Sequence, residues 1–246
     1  MTGQAAGQAA ARTAVVTGAA GGIGQAICRR LAADGFAVAG LDLREPDLSE
    51  VPGARAYSVD IRDADSVSQA ADRIRTDLGA PWLLVNAAGV FSIQYVTDLR
   101  EEEWDRILDT NLKGPFLTCR EFLPAMIEAR DGCIVNIAST AGVRGGRKRA
   151  AYCASKGGLV LLTRSLAVDH GRDGIRVNFV CPGLIDTEMA DWIRHDAAAM
   201  ADFSASTPAG RIGQPADIAD AVCFLASDRA GYLQGSVIMV DGGVTA

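Results

Sequence analysis

Residues 13–24 read Thr-Ala-Val-Val-Thr-Gly-Ala-Ala-Gly-Gly-Ile-Gly, a β-branched run that breaks into glycines and then opens a helical pattern. Thr13–Thr17 is short, apolar and branched at Cβ, which predicts a strand. Gly22–Asp34 follows with Ile23, Ile27 and Leu31 on one face at helical spacing. Glycines between the two let a backbone approach a pyrophosphate, and the helix start offers free N–H groups and a positive dipole. An ordinary tight turn also carries glycines. Context favours the dinucleotide reading: a strand before, a helix after, and an acid, Asp42, closing the next strand.

Outward from this turn the same alternation repeats. Strands are predicted at Ala37–Asp42, Ala54–Asp60, Trp82–Asn86, Gly132–Ile137, Ile175–Cys181 and Val237–Asp241. Helices are predicted over Asp63–Leu78, with Asp63 as N-cap, and over Pro215–Ser227. Two longer helices run from Glu101 to about Ala129, bent near Gly114-Pro115, and from Tyr152 to about Arg172. Apolar strands alternating with helices imply a parallel sheet covered on both faces. Right-handed crossovers make it doubly wound. The fold class is therefore α/β, a single-domain Rossmann fold with a seven-stranded parallel sheet. Residues 1–12 read as a mobile tail, and 13–246 as the domain. Between strands two and three, Pro46 and Pro52 leave little room for a helix. Leu184–Gln214 is a long stretch without a predicted strand beyond the sixth strand's carboxyl end, where a substrate lid would lie.

Composition narrows the function. The 246 residues are 49% hydrophobic and carry a net charge of −6. An acidic chain without a Lys/Arg-rich face has no electrostatic footprint for nucleic acid or an anionic membrane. No apolar run reaches the length of a membrane span, and residues 1–12 do not form a secretory signal. The six cysteines, Cys28, Cys119, Cys133, Cys153, Cys181 and Cys223, form no C-x-x-C pair. They read as buried thiols of a cytoplasmic protein. With two histidines and no ligand spacing, no metal site is expected.

The turn spacing is T-G-x-x-x-G-I-G, and further motifs accompany it: Asn86-Ala87-Ala88-Gly89, Asn111, Ser139, Tyr152-Cys153-Ala154-Ser155-Lys156, Pro182-Gly183 with Thr187, and Asp241-Gly242-Gly243. On these residues the chain, from Thr13 to Gly243, resembles the classical short-chain dehydrogenases/reductases. Ala87 departs from the family, which more often has a second Asn there.

The resemblance implies a nicotinamide cofactor on Gly18, Gly22, Ile23 and Gly24. Asp60 and Ile61 would border the adenine, Asn86 and Gly89 the adenine ribose region. Thr187 would hold the nicotinamide amide, with Pro182, Gly183, Ile185, Tyr152 and Lys156 also at the cofactor. Asp42 can accept both ribose hydroxyls of NAD, and its charge repels a 2′-phosphate. No Lys or Arg stands in the glycine-rich loop, so NAD is expected over NADP. Arg44 is the one nearby cation that could reach a phosphate.

Tyr152 and Lys156 are four apart on a predicted helix and share a face. An ammonium beside a phenol favours phenolate, which suits an acid/base at a carbinol oxygen. Ser139 can hydrogen-bond the same oxygen. Asn111, as the resemblance implies, would anchor a water linking Lys156 to solvent. No G-x-S-x-G elbow suggests a serine hydrolase.

Between Ser139 and Tyr152, Arg144, Arg147, Lys148 and Arg149 place four cations in six residues. Arg matches carboxylate geometry bidentately, so a clamp on a small hydroxy acid is one reading. Arg149, three before Tyr152, resembles the cytosolic type-2 hydroxybutyrate dehydrogenases in this. The other reading is a solvated or subunit-contact charge run, with a neutral alcohol or ketone as substrate. Residues 182–189 and 208–213 resemble β-ketoacyl-carrier-protein reductases, where Arg130 and Arg172 would face an acidic carrier protein. Diol-oxidising dehydrogenases of aryl acid biosynthesis share Asn86–Gly89. A catalytically silent binding protein of the same fold is the remaining alternative. Family members are usually homotetramers.

Overall fold

The computed structural model describes residues 11–246, so the expected mobile tail at 1–12 falls almost wholly outside the described residues. The chain begins with strand β1 (Thr13–Thr17), helix α1 (Gly22–Ala33) and β2 (Ala37–Asp42). The connection to β3 (Arg55–Ser58) holds no helix, as Pro46 and Pro52 suggest. Its Leu48 and Val51 are buried and cover β2 instead, where a Cβ on Gly40 would fall 2.5 Å from Leu48 Cδ1. Helix α2 (Ala64–Leu78) starts at Asp63, whose side chain accepts from the Asp65 N–H. Strand β4 (Pro81–Asn86) leads to α3 (Glu101–Leu108) and α4 (Gly114–Ala129). Then come β5 (Gly132–Ile137), α5 (Ala150–His170) and β6 (Ile175–Pro182). Two short helices, α6 (Asp191–Arg194) and α7 (Ala197–Ser206), fill the long segment after β6. Helix α8 (Pro215–Ala226) and β7 (Val237–Val240) close the fold.

All strands are parallel, in the order β3-β2-β1-β4-β5-β6-β7. The winding direction reverses between β1 and β4, and ligands of such sheets bind beyond the carboxyl ends of the strands at that crevice. Alternation along the strands sends Val16, Val38, Val85 and Val135 to one face, against Ile27 and Leu31 of α1 and Ile218 and Val222 of α8. Val15, Leu41, Leu84 and Ile134 go to the other face, against Val67 and Ile74 of α2 and Phe122 and Met126 of α4. Burying a large apolar side chain stabilises by about 1.5–3 kcal/mol, and this double layer holds the turns at the sheet's carboxyl edge.

The expected helix from Glu101 to Ala129 is continuous but not uniform. Its irregularity comes before Gly114-Pro115, in a π-type turn over Asp109–Lys113. Tertiary bonding accounts for it: Asn111 in that turn is fully buried and holds both backbone groups of Val90. Single π turns in helices mark functional sites often enough to direct attention there.

Candidate active site

A cleft of about 960 Å³ opens at the β1/β4 crevice, lined by Gly18, Gly22, Ile23, Gly24, Asp42, Arg44, Asp60, Ile61, Gly89 and Thr187 among others. Gly18 holds φ +72°, and a Cβ there would fall 2.7 Å from Ala88 Cα. A Cβ on Gly24 would lie 2.0 Å from the Gly18 carbonyl oxygen, so α1 packs directly on the turn. A Cβ on Gly22 would lie 3.0 Å from Thr187 Cγ2, across the cleft. No side chain caps the start of α1, which leaves its N–H groups for an anion. The Asp42 carboxylate is fixed over the turn by the Ala20 N–H at 3.1 Å. These residues fit a dinucleotide: a bare backbone cradle, an uncapped helix start and an acid at the ribose end.

Two of the expected cofactor residues have other commitments. Asn86 does not line the cleft. It is buried between β4 and β5, where it donates to Asn136 Oδ1 at 2.9 Å and accepts from the Thr118 hydroxyl at 2.7 Å. Strand register pairs it with Asn136, and its side chain is bonded inside the fold. Asp60 lines the cleft, but Arg62 grips both its oxygens at 2.9 and 2.7 Å, which holds its carboxyl below the usual range. Arg44 lines the same cleft.

A second, smaller pocket of about 160 Å³ adjoins the cleft and shares Ile23, Gly89, Phe91 and Thr187 with it. Ser139, Tyr152 and Lys156 line it, as do Pro182, Gly183 and Ile185. The end of β5 supplies Ser139, and one turn of α5 separates Tyr152 from Lys156. Lys156 is 4% exposed, and its Nζ donates to the Ile137 carbonyl at 2.8 Å. Burial pushes that ammonium down to about 8. The Nζ lies 5.9 Å from the Tyr152 ring centre. Burial also raises the Tyr152 phenol above its ordinary value, while the neighbouring Ser139 hydroxyl and the Arg149 charge pull it down. Among the protein groups the burial contribution outweighs these two. Asn111 adjoins this cluster: it donates to Ser155 Oγ at 3.1 Å, and a Cβ on Gly89 would lie 3.5 Å from its Oδ1 and 3.4 Å from Lys156 Nζ.

The basic loop divides. Arg144 and Arg149 line the small pocket; Arg147 does not. The Arg147 guanidinium donates to the Tyr95 hydroxyl at 2.9 Å, and Lys148 lies over the same ring at 4.7 Å. The cause is backbone pairing: the Gln94 N–H donates to the Lys148 carbonyl at 2.8 Å, which turns the loop tip toward Tyr95. Arg149 instead rests against the rings of Phe91, at 5.2 Å, and Trp192, at 5.3 Å. Phe91 and Trp192 were not singled out by sequence reasoning. Trp192 lies in the stretch where a lid was expected, and a large aromatic there was the available signal; Phe91 carried none.

A family model described as Enoyl-(Acyl carrier protein) reductase matches residues 18–245. The 2-(R)-hydroxypropyl-CoM dehydrogenase of Xanthobacter autotrophicus is 40% identical, over 96% of this chain and 99% of its own. The 3-oxoacyl-[acyl-carrier-protein] reductase of Escherichia coli is 37% identical, over 95% and 97%. A solved 4-hydroxyisoleucine dehydrogenase in complex with NADH superimposes with a TM-score of 0.89 at 31% identity, covering 95% of this chain and 98% of that one. Another solved neighbour, a Beutenbergia cavernae protein carrying NADP at low occupancy, superimposes with a TM-score of 0.89 at 36% identity over 96% and 97%.

Proposed function

The chain belongs to the short-chain dehydrogenase/reductase family, whose oxidoreductases act on alcohols and ketones, and from that premise we propose an NAD-dependent enzyme interconverting a secondary alcohol and a ketone. The observation that carries this reading is the meeting of Ser139, Tyr152 and Lys156 in a pocket that shares a wall with the dinucleotide cleft. In this account Tyr152 takes the carbinol proton during oxidation and returns it during reduction. Ser139 hydrogen-bonds the substrate oxygen. Lys156 keeps a cation beside the phenol, and Asn111 orders the proton path behind it. Gly18, Gly22, Ile23 and Gly24 receive the pyrophosphate, Asp42 the adenosine ribose, Ile61 and Asp60 the adenine, and Thr187 the carboxamide. The bound nicotinamide supplies or accepts the hydride. Moving a phenol from about 10 to near 7 takes about 4 kcal/mol of differential stabilisation, which the oxidised cofactor's charge would supplement.

Asp42 supports NAD over NADP, because its carboxylate, held beside the turn by the Ala20 N–H, would repel a 2′-phosphate there. Arg144 and Arg149 support an anionic substrate, a small hydroxy acid or similar secondary alcohol bearing a negative group: no carboxylate lines their pocket. The Xanthobacter relative is a dehydrogenase of a 2-(R)-hydroxypropyl group, itself a secondary alcohol. Residues 13–246 then form the catalytic domain of a cytoplasmic enzyme. Exposed Phe116 of α4 and Leu161 and Val168 of α5 support a homotetramer built on these helices.

A second reading, a 3-oxoacyl-carrier-protein reductase, is favoured by the Escherichia coli relative. Arg130, which donates to the Arg172 carbonyl at 2.8 Å, would then face the carrier. A panel of hydroxy acids, 2-(R)-hydroxypropyl-CoM, neutral alcohols and oxoacyl thioesters, followed by nicotinamide absorbance, separates the readings. Turnover of hydroxy anions with NAD is expected, with a loss of about 10²–10⁴-fold in Tyr152→Phe. Unchanged turnover in that variant would remove Tyr152 from the mechanism, and activity confined to thioesters with NADPH would install the second reading.

A further inference from the structure

Tyr152 has a cation on either side. Lys156 stands one turn further along α5, tied to the Ile137 carbonyl. Arg149 stands one turn earlier, at the start of α5. Its Cζ is 5.2 Å from the centre of the Phe91 ring, and the Phe91 ring meets Tyr152 edge-on at 4.9 Å. Arg149 and Tyr152 thus pack on one aromatic ring and line one pocket. Among the described residues Arg149 makes no ion pair and no side-chain hydrogen bond; its partners are the rings of Phe91 and Trp192. A guanidinium packed on rings keeps its full charge, and in a pocket without carboxylates that charge is not cancelled.

The other groups around the phenol come from every neighbouring element. The Ser139 hydroxyl lines the same pocket from beyond β5, and the Cys181 thiol of β6 and the Cys153 thiol of α5 are near enough to act on the phenol electrostatically. Arg144 lines the pocket from the basic loop. The lid contributes Met189, Trp192 and Phe203, none of them charged.

We propose that Arg149 is a positioning residue for proton transfer: from the substrate side, its unpaired guanidinium favours the phenolate of Tyr152, whether or not the substrate is an anion. The inference rests on Tyr152 being the acid/base. It is separate from any role of Arg149 in holding substrate charge. The sign follows from electrostatics, since a nearby positive charge stabilises the deprotonated phenol.

The test uses a neutral secondary alcohol, so that substrate charge plays no part. With saturating NAD, the pH profile of kcat/KM for oxidation rises as Tyr152 ionises. Arg149→Gln is expected to move that rise about half a unit to one unit toward higher pH, and Arg149→Lys to restore most of it. Arg147→Gln removes a cation of the same loop that lies on Tyr95 outside the pocket, and is expected to move nothing. Absorbance at 295 nm in the NAD complex, after subtracting Tyr152→Phe, should show the same displacement of phenolate formation. Arg149→Met, which keeps an apolar stem against Phe91 and Trp192, gives the same reading should the Gln variant not fold.

An Arg149→Gln profile that coincides with wild type in both measurements overturns the proposal. So does an equal shift from Arg147→Gln, because the effect would then be general charge. A raised KM for carboxylate substrates with an unmoved profile leaves the anion clamp standing and removes this inference. Full activity in Tyr152→Phe would instead remove the reading beneath it.

Discussion

The cofactor side and the substrate side of this molecule are built by different means. Around Gly18 and Gly24 the shape is made by backbone: a positive φ, and contacts of 2.7 and 2.0 Å that any Cβ would violate. Around Arg144–Arg149 the shape is made by side chains: Arg149 rests on Phe91 and Trp192 in the pocket, whereas Arg147 and Lys148 lie on Tyr95 outside it. Backbone sites admit almost no variation in sequence, because no residue other than glycine fits. Side-chain sites admit many, which lets one scaffold take different alcohols while the nucleotide stays in place.

Lys156 sits where the two sides meet and gives the sharpest energetic contrast. Its folded-state value of about 8 lies below the 10.5 of a free lysine, so the unfolded chain binds more protons between these two values. The sign is that folding is penalised below about pH 8 and the penalty disappears as pH rises toward 10.5. Lys156→Met is therefore expected to be more stable than wild type at pH 7 by roughly 2–3 kcal/mol, with the gap closing by pH 10. Thermal melts of both proteins across that range check it. A gap independent of pH would mean that the lysine is not penalised by burial.

Gly18→Ala tests the backbone half. The strained φ and the approach to Ala88 should cost about 1–3 kcal/mol of stability, and NADH affinity should fall at least about tenfold. Melting and fluorescence titration read the two effects, and a variant that binds NADH normally would show that the cradle tolerates side chains. The smallest effect belongs to the side-chain half. Arg147→Gln should leave KM for every substrate within about twofold, since its guanidinium is engaged by Tyr95. A large KM change would place Arg147 in the pocket and erase the division drawn within the loop.

Much of this was legible because it is local. Asp63 caps α2 as its position before an amphipathic run suggests. β5 runs from Gly132 to Ile137 as its apolar pattern gives it. The glycine-rich turn, Ser139, Tyr152 and Lys156 come together as their order along alternating strands and helices implies. What was not legible depends on register and on partners distant in sequence. The bond from the Asn86 side chain to Asn136 depends on the β4–β5 register and could not be read locally. The π turn at Asn111 exists because Val90 pulls on that side chain, and no helical periodicity records it. Apart from the position of Arg149 three before Tyr152, nothing in sequence ranks the four cations of the basic loop. The backbone bond between Gln94 and Lys148 separates them.

The central claim is that the backbone cradle and Asp42 together select NAD. Titrating the protein with NADH and, separately, NADPH, by tryptophan fluorescence and thermal shift, tests it directly, because binding stabilises the fold by mass action. The account predicts at least about tenfold tighter binding of NADH, narrowing in Asp42→Ala. Tighter binding of NADPH would contradict it, transfer the decisive contact to Arg44, and bring the carrier-protein reductase to the front.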